Sequence, residues 1–190
     1  MNTFALRIQK MYGYTDYEMA VIKYSITALF SELSKIFILS ILYLYIEKFN
    51  FFIVSCVLLI FLRKNGGGYH CKHYITCLLL TAFISTAAIV LLPLINIPNF
   101  SIILLTLIIC LFTNYFIGPV SSPFRAEPNA LLIKRCKNNV FLTIFIFIII
   151  VSIFNSNIVI RPYLIVGFWT IILHTLQLIV AKILRKGEFY

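Results

Sequence analysis

Six long runs of apolar residues constrain this sequence more than any other feature. The runs lie at 25–46, 49–62, 74–94, 102–117, 140–154 and 163–183. Because roughly 20 apolar residues cross a bilayer as a helix, such runs predict transmembrane helices. The composition agrees, with 62% hydrophobic residues and a mean hydropathy of +1.01. The second run is short for a bilayer, so its alternative is a tilted, re-entrant or protein-buried segment.

The distribution of basic residues supports six spans and gives them an orientation. With the N-terminus in the cytoplasm, thirteen of the 16 Lys and Arg residues fall in cytoplasmic segments, Lys48 and Arg161 fall outside, and Lys35 lies within the first span. This excess follows the positive-inside rule, and removing the second run would place the basic residues of 63–72 outside. The sequence therefore predicts an all-α, polytopic integral membrane protein with six transmembrane helices and both termini cytoplasmic.

The segments between the runs are short, which predicts one membrane-embedded domain over residues 1–190. Residues 1–22 mix apolar, aromatic and basic side chains, which favours an interfacial helix, with a solvated leader as the alternative. No removable signal peptide is expected, since a short apolar core with a cleavage site is not seen. The net charge of +10 is explained by topology, so no nucleic-acid partner is expected.

The segment 63–77 concentrates the reactive side chains, with two of the three histidines and two of the five cysteines. An odd number of cysteines beside apolar runs does not suggest a disulfide framework. A thiol becomes a strong nucleophile as its thiolate, which a nearby imidazole, cations or a helix N-terminus favours. Cys77, at the start of the third run, is therefore the predicted nucleophile.

Two histidines compete for the role of general base to Cys77. On a continuous helix His73 would lie four residues away on the same face, so the spacing alone favours it. His70 is seven residues away, about 10 Å along a helix, and would work only if the chain folds back. The glycines of 66–68 permit such a fold because they reach backbone conformations closed to other residues.

The pattern R-x4-G-x-H-x6-C, formed by Arg63, Gly68, His70 and Cys77, resembles the signature of the accessory gene regulator protein B family. Members of that family are membrane peptidases of Gram-positive bacteria that process autoinducer propeptides. The length and hydropathy of the whole chain agree with this resemblance. It implies that Cys77 is the nucleophile and His70 its base, with Arg63 and Gly68 shaping or charging the loop.

The resemblance also implies a reaction, a substrate and a location. A cysteine endopeptidase of this kind would cut the C-terminal tail from a quorum-sensing propeptide, leave a peptidyl thioester and promote closure of a thiolactone or lactone. Neither a cofactor nor a metal is expected for this chemistry. The expected partners are the propeptide, the lipid bilayer and a second copy of the chain, in the cell membrane of a Gram-positive bacterium.

Several further residues are weaker candidates. Glu32 is the candidate for a third catalytic residue, although Lys35 lies three residues on and a structural ion pair between them is favoured. The cations of the second long loop would hold the propeptide tail or merely enforce topology; they are Lys134, Arg135 and Lys137. His174 and Gln177, in the last run, are predicted to form hydrogen bonds between helices.

Two other functions compete with a peptidase. His70, Cys71, His73 and Cys77 offer nitrogen and sulfur donors that suit zinc, but they lack paired CxxC elements and crowd into eight residues. Alternatively, the chain is a small transporter or structural membrane subunit in which cysteines act as small hydrophobic side chains.

Overall fold

The computed structural model describes residues 7, 9, 11–68, 73–95, 99–120 and 130–187. Its long helices are α1 (Asp16–Tyr45), α2 (Phe49–Gly66), α3 (Tyr74–Leu94), α4 (Phe100–Ile117), α5 (Ala130–Phe154) and α6 (Arg161–Gly187). All six are long and apolar enough to cross a membrane, and the described part of the chain contains no β-strand. The prediction of an all-α membrane protein with six transmembrane helices is confirmed.

Helix α6 lies at the centre of the bundle. In an apolar stretch of 18 residues taken from each helix, 61% of the residues of α6 are buried. The corresponding share in the other five helices is 11% to 28%. It packs against α2, α4 and the second half of α3. The main core fills the space between α2, α4, α5 and α6, and a second core joins α1 and α3 to α2 and α6. Lipid, rather than protein, is therefore the neighbour of most of the remaining helical surface.

Close approach in the main core depends on Gly167 of α6. A Cβ atom there would lie 2.5 Å from Cζ of Phe147 and 3.1 Å from Cδ1 of Leu58. The missing side chain lets α6 meet both α5 and α2, as small residues do between membrane helices. The second apolar run is accordingly an 18-residue helix that packs on α6 and is long and apolar enough to cross a membrane.

Hydrogen bonds between buried side chains also join neighbouring helices. Thr170 donates to Ser55 at 2.9 Å between α6 and α2, and Tyr43 donates to Ser85 at 2.9 Å between α1 and α3. Such bonds contribute modestly in membrane proteins, at about 0.6 kcal/mol on average. The bond from Tyr43 to Ser85 joins α1 and α3, which carry the candidate site.

Two helices begin nine or ten residues before their apolar runs. Helix α1 begins at Asp16 because Thr15 and Glu18 form a capping box: the Thr15 hydroxyl accepts from the Glu18 amide at 3.2 Å, and the Glu18 carboxylate accepts from the Thr15 amide at 2.9 Å. Helix α5 begins at Ala130, so the second predicted loop is shorter than expected. Three predicted loop cations lie on the first turns of α5 instead, namely Lys134, Arg135 and Lys137.

Candidate active site

Cys77 lies in the first turns of α3, where the sequence placed it. The helix begins at Tyr74, and the Cys77 amide donates to the carbonyl of His73 at 3.1 Å. The side chain of Cys77 is buried, with only 5% of its surface exposed. A buried thiol at a helix N-terminus feels the helix dipole with little screening by water.

The side chain of Lys35, on α1, reaches Cys77. Its Nζ donates to Sγ of Cys77 at 3.2 Å and to Oε1 of Glu32 at 2.6 Å. Only 3% of Lys35 is exposed. The buried residues of α1 are Lys35, Leu39 and Tyr43, which repeat at every fourth position and form one stripe. Lys35 therefore points into the bundle because its stripe is the packed face of α1.

Arg63, in the last turn of α2, faces the same carboxylate. Its guanidinium lies 3.9 Å from Oε2 of Glu32, the oxygen that Lys35 does not bind. The described residues of this cluster include two cations, Lys35 and Arg63, and one carboxylate, Glu32. Their charges sum to one positive charge. A thiolate on Cys77 would neutralise that charge. The cluster is thus electrostatically suited to hold Cys77 as an anion.

Tyr74 connects α3 to α1 beside the thiol. Its hydroxyl lies 2.8 Å from Oγ of Ser34, and its ring centroid lies 5.9 Å from Nζ of Lys35. A cation at this distance from an aromatic face is attracted to the ring. Tyr74 therefore helps to fix the Lys35 ammonium over the start of α3.

The structure changes the comparison of the two histidines. His73 is the N-cap of α3, with an extended backbone (φ −107°, ψ 142°), and its side chain is exposed whereas Cys77 is buried. The continuous helix that favoured His73 as the base is therefore absent at this position. His70 and Cys71 lie outside the described residues, so the role of His70 stays a prediction.

The glycine run turns the chain away from α2. Gly67 and Gly68 have φ values of +76° and +151°, which side chains other than glycine rarely adopt. A Cβ atom on Gly67 would also collide with the carbonyl oxygen of Val120, whose amide donates to the Gly66 carbonyl at 3.0 Å. The backbone geometry gives Gly68, a residue of the predicted signature, a physical reason to be glycine.

The polar face of α6 lies behind the glycine run. His174 is fully buried, and its Nε2 would be 3.3 Å from a Cβ atom on Gly66. Within the described residues, neither ring nitrogen of His174 has a hydrogen-bond partner, and Nε2 of Gln177 has none either. The predicted hydrogen bonds between helices are therefore not formed by these three nitrogens within the part of the chain that the structure describes.

The predicted tail-binding cations lie beside the ends of α2 and α4. Asn139 of α5 donates to Asn65 of α2 at 3.0 Å, and Nζ of Lys137 lies 5.7 Å from the ring centroid of Tyr115. These contacts place the start of α5 at the same end of the bundle as Arg63. Lys134, Arg135 and Lys137 remain predicted substrate contacts.

The structure adds Lys35 as a direct partner of Cys77. The sequence suggested only its ion pair with Glu32, which is present. The signal for a larger role was its position, since a charged residue inside a membrane span is costly and often functional. Of the four residues of the competing zinc hypothesis, His73 and Cys77 are described, and His70 and Cys71 lie outside the described residues, so that hypothesis is not tested.

Comparison with known proteins identifies the family to which this chain is similar. Accessory gene regulator B is the family that matches residues 1–179. A protein of Clostridium beijerinckii described as AgrB-like is 39% identical over 57 residues, which cover 30% of this chain and 29% of that relative. The matched segment is thus less than a third of the relative's length, and no solved structure matches significantly. With its family match covering nearly the whole chain, this multi-pass membrane protein belongs to the accessory gene regulator B family.

Proposed function

We propose that the protein is a cysteine endopeptidase that removes the C-terminal tail of a quorum-sensing autoinducer propeptide. Family membership supports an accessory gene regulator role. The proposed substrate class follows from what the resemblance of Arg63, Gly68, His70 and Cys77 to the family signature implies. The observation that carries the catalytic part is the contact of 3.2 Å between Nζ of Lys35 and Sγ of buried Cys77. In this proposal Cys77 is the nucleophile.

The cluster would activate Cys77 by stabilising its thiolate. A hydrogen bond from an ammonium to an anion is roughly twice as strong as one between neutral groups. Glu32 binds and orients the Lys35 ammonium, and Arg63 faces the second carboxylate oxygen of Glu32. Glu32 and Lys35 thus combine a structural ion pair with support of the nucleophile.

The proposed reaction has two acyl-transfer steps. The thiolate attacks the carbonyl carbon at the scissile bond, and the C–N bond breaks while the departing amine of the tail takes a proton from the His70 imidazolium. A cysteine thiol or serine hydroxyl within the peptide then attacks the thioester and gives its proton to His70. This second step closes the thiolactone or lactone and releases the Cys77 thiolate, without ATP because the thioester conserves the acyl-transfer potential.

Other groups would handle the peptide. Gly68 would let the chain bring His70 towards Cys77, and the cations at the start of α5 would hold an acidic tail. A second copy of the chain remains a proposed partner, as does a Gram-positive cell membrane as the location. Burial of Cys77 away from water would limit premature hydrolysis of the thioester.

The test is propeptide cleavage in proteoliposomes, measured by mass spectrometry of the released tail. We expect Cys77→Ala and His70→Ala to abolish cleavage, and His73→Ala to retain it because the side chain of His73 is exposed whereas the thiol is buried. Cys136→Ala is the matched cysteine control and should cleave at the wild-type rate. Intact-protein mass spectrometry should detect a peptide adduct on the wild-type enzyme but not on Cys77→Ala, and hydroxylamine should remove that adduct as the peptide hydroxamate.

The outcomes separate the competing functions. Cleavage by a correctly inserted Cys77→Ala variant would exclude the proposed nucleophile. Loss of cleavage in His73→Ala but not in His70→Ala would make His73 the base. If the wild-type protein binds the propeptide without cutting it, a transport or structural role replaces the peptidase.

A further inference from the structure

A cleft that contains two basic residues lies at the end of the bundle opposite Cys77. The cleft, of about 490 Å³, opens between the start of α2, the end of α3 and the start of α6. Cys77 and Pro93 stand at the two ends of α3, separated by roughly 24 Å at 1.5 Å per residue. The cleft is therefore too far from the candidate active site to belong to it.

Two cations stand in this cleft. They are Lys48, the N-cap of α2, and Arg161, the first residue of α6. Nε of Arg161 is buried without a hydrogen-bond partner, and neither cation forms an ion pair within the described part of the chain. A buried guanidinium nitrogen without an acceptor is uncommon in native proteins and points to a missing anionic or polar group.

The rest of the cleft is apolar. Nine of its eleven described lining residues are apolar, among them Phe51, Ile89, Leu94 and Ile165. Nζ of Lys48 lies 5.4 Å from the ring centroid of Phe51, so charge and apolar wall are adjacent. At the rim, Leu94 is 79% exposed and Ile158 is 88% exposed, so the mouth of the cleft is bordered by exposed apolar side chains.

We propose that this cleft binds an anionic phospholipid. Its phosphate would accept hydrogen bonds from Arg161 and Lys48, and part of an acyl chain would pack along the apolar wall formed by α2, α3 and α6. Charge complementarity selects an anion, and the apolar wall selects a lipid over a soluble phosphate. The volume lies within the range of small-molecule sites, roughly 300–1,000 Å³. This site is independent of the peptidase proposal.

The test measures lipid binding by native mass spectrometry of the full chain in detergent. The probes are dioctanoyl phosphatidylglycerol, dioctanoyl phosphatidylcholine and glycerol phosphate. We expect the wild type to bind one phosphatidylglycerol more tightly than phosphatidylcholine, and to bind glycerol phosphate much more weakly. The variant Lys48→Gln/Arg161→Gln should bind phosphatidylglycerol roughly 25-fold more weakly, since each cation near an anionic lipid contributes a factor of about five.

The control uses cations on the same two helices at their other ends. Lys64→Gln/Lys182→Gln removes two exposed charges of α2 and α6. Its affinity for the most tightly bound phosphatidylglycerol should stay within about twofold of the wild-type value. A second variant, Val90→Trp, keeps both cations but fills the apolar part of the cleft. It should also lose the lipid, and circular dichroism checks that each variant folds.

Three results would overturn the proposal. The first is equal phosphatidylglycerol affinity in the wild type and the Lys48→Gln/Arg161→Gln variant. The second is equal binding of the anionic and zwitterionic lipids, which would remove the role of charge. The third is glycerol phosphate binding as tightly as the lipid, which would assign the cations to a soluble phosphate.

Discussion

At the scale of single residues, Lys35 is the unexpected member of the site. Burial of an ammonium in a membrane bundle is costly unless partners replace its water. Glu32 and Cys77 both accept from its Nζ, and the ring of Tyr74 lies over it. A lysine needed only for the ion pair with Glu32 would not have to reach the thiol. Through these two contacts, Lys35 connects the carboxylate of Glu32 on α1 to the thiol of Cys77 on α3.

We predict that Lys35→Met slows cleavage about 10- to 100-fold, because a hydrogen bond to a charged group contributes roughly 1.5–3 kcal/mol. The same variant should slow alkylation of Cys77 at neutral pH, measured with Cys77 as the sole cysteine. Lys35→Arg should recover part of both rates, since it restores the positive charge. Alkylation reports the thiol itself, so it separates this role from a general loss of packing.

The control for Lys35 is Lys23→Met, an exposed lysine twelve residues earlier on α1. It should leave both rates unchanged. An alkylation rate in Lys35→Met equal to that of the parent protein would show that Lys35 does not stabilise the thiolate. The contact in the structure would then be a packing contact only.

At the scale of helices, Gly167 decides how closely α6 meets its neighbours. In Gly167→Ala, overpacking should cost about 1–3 kcal/mol, because the new methyl group would collide with the buried ring of Phe147. Alanine gains roughly 1 kcal/mol over glycine within a helix, so we expect a net loss of stability of up to about 2 kcal/mol. The measurement is equilibrium unfolding in mixed detergent micelles.

A compensating variant tests the cause of that loss. Gly167→Ala combined with Phe147→Leu should be more stable than Gly167→Ala alone, since the smaller side chain makes room for the methyl group. Leu176→Ala, at an exposed position of the same helix, is the control and should change stability little. Unchanged or increased stability of Gly167→Ala would mean that α5 can shift away without cost.

The elements also show what sequence patterns can predict. Apolar runs identified all six helices because the bilayer imposes a length and a composition on each one. They did not locate the starts of α1 at Asp16 and α5 at Ala130, because polar helical turns outside the lipid carry no hydropathy signal. The Lys35–Cys77 contact spans 42 residues of sequence, so it depends on helix packing that no local spacing reveals.

At the scale of the whole molecule, an even number of spans places the two ends of the described bundle on the same side. Cys77, Arg63 and the start of α5 also lie at that end, whereas Lys48 and Arg161 lie at the other. Charge separates the two ends in the same way, with thirteen basic residues against two. The orientation of the chain therefore decides which compartment meets the candidate active site.

We predict that the end carrying Arg63 faces the cytoplasm, because short loops rich in Lys and Arg are retained there. In a cysteine-free background, a membrane-impermeant maleimide should label Ser156→Cys in intact cells, since this exposed turn precedes α6. Lys134→Cys, exposed on the first turns of α5, should react only after permeabilisation. The opposite pattern would place Cys77 outside the cell, where it would meet a propeptide only after export. Labelling of both positions in intact cells would contradict a single orientation. It would also show that the uneven distribution of basic residues does not determine the topology of this chain.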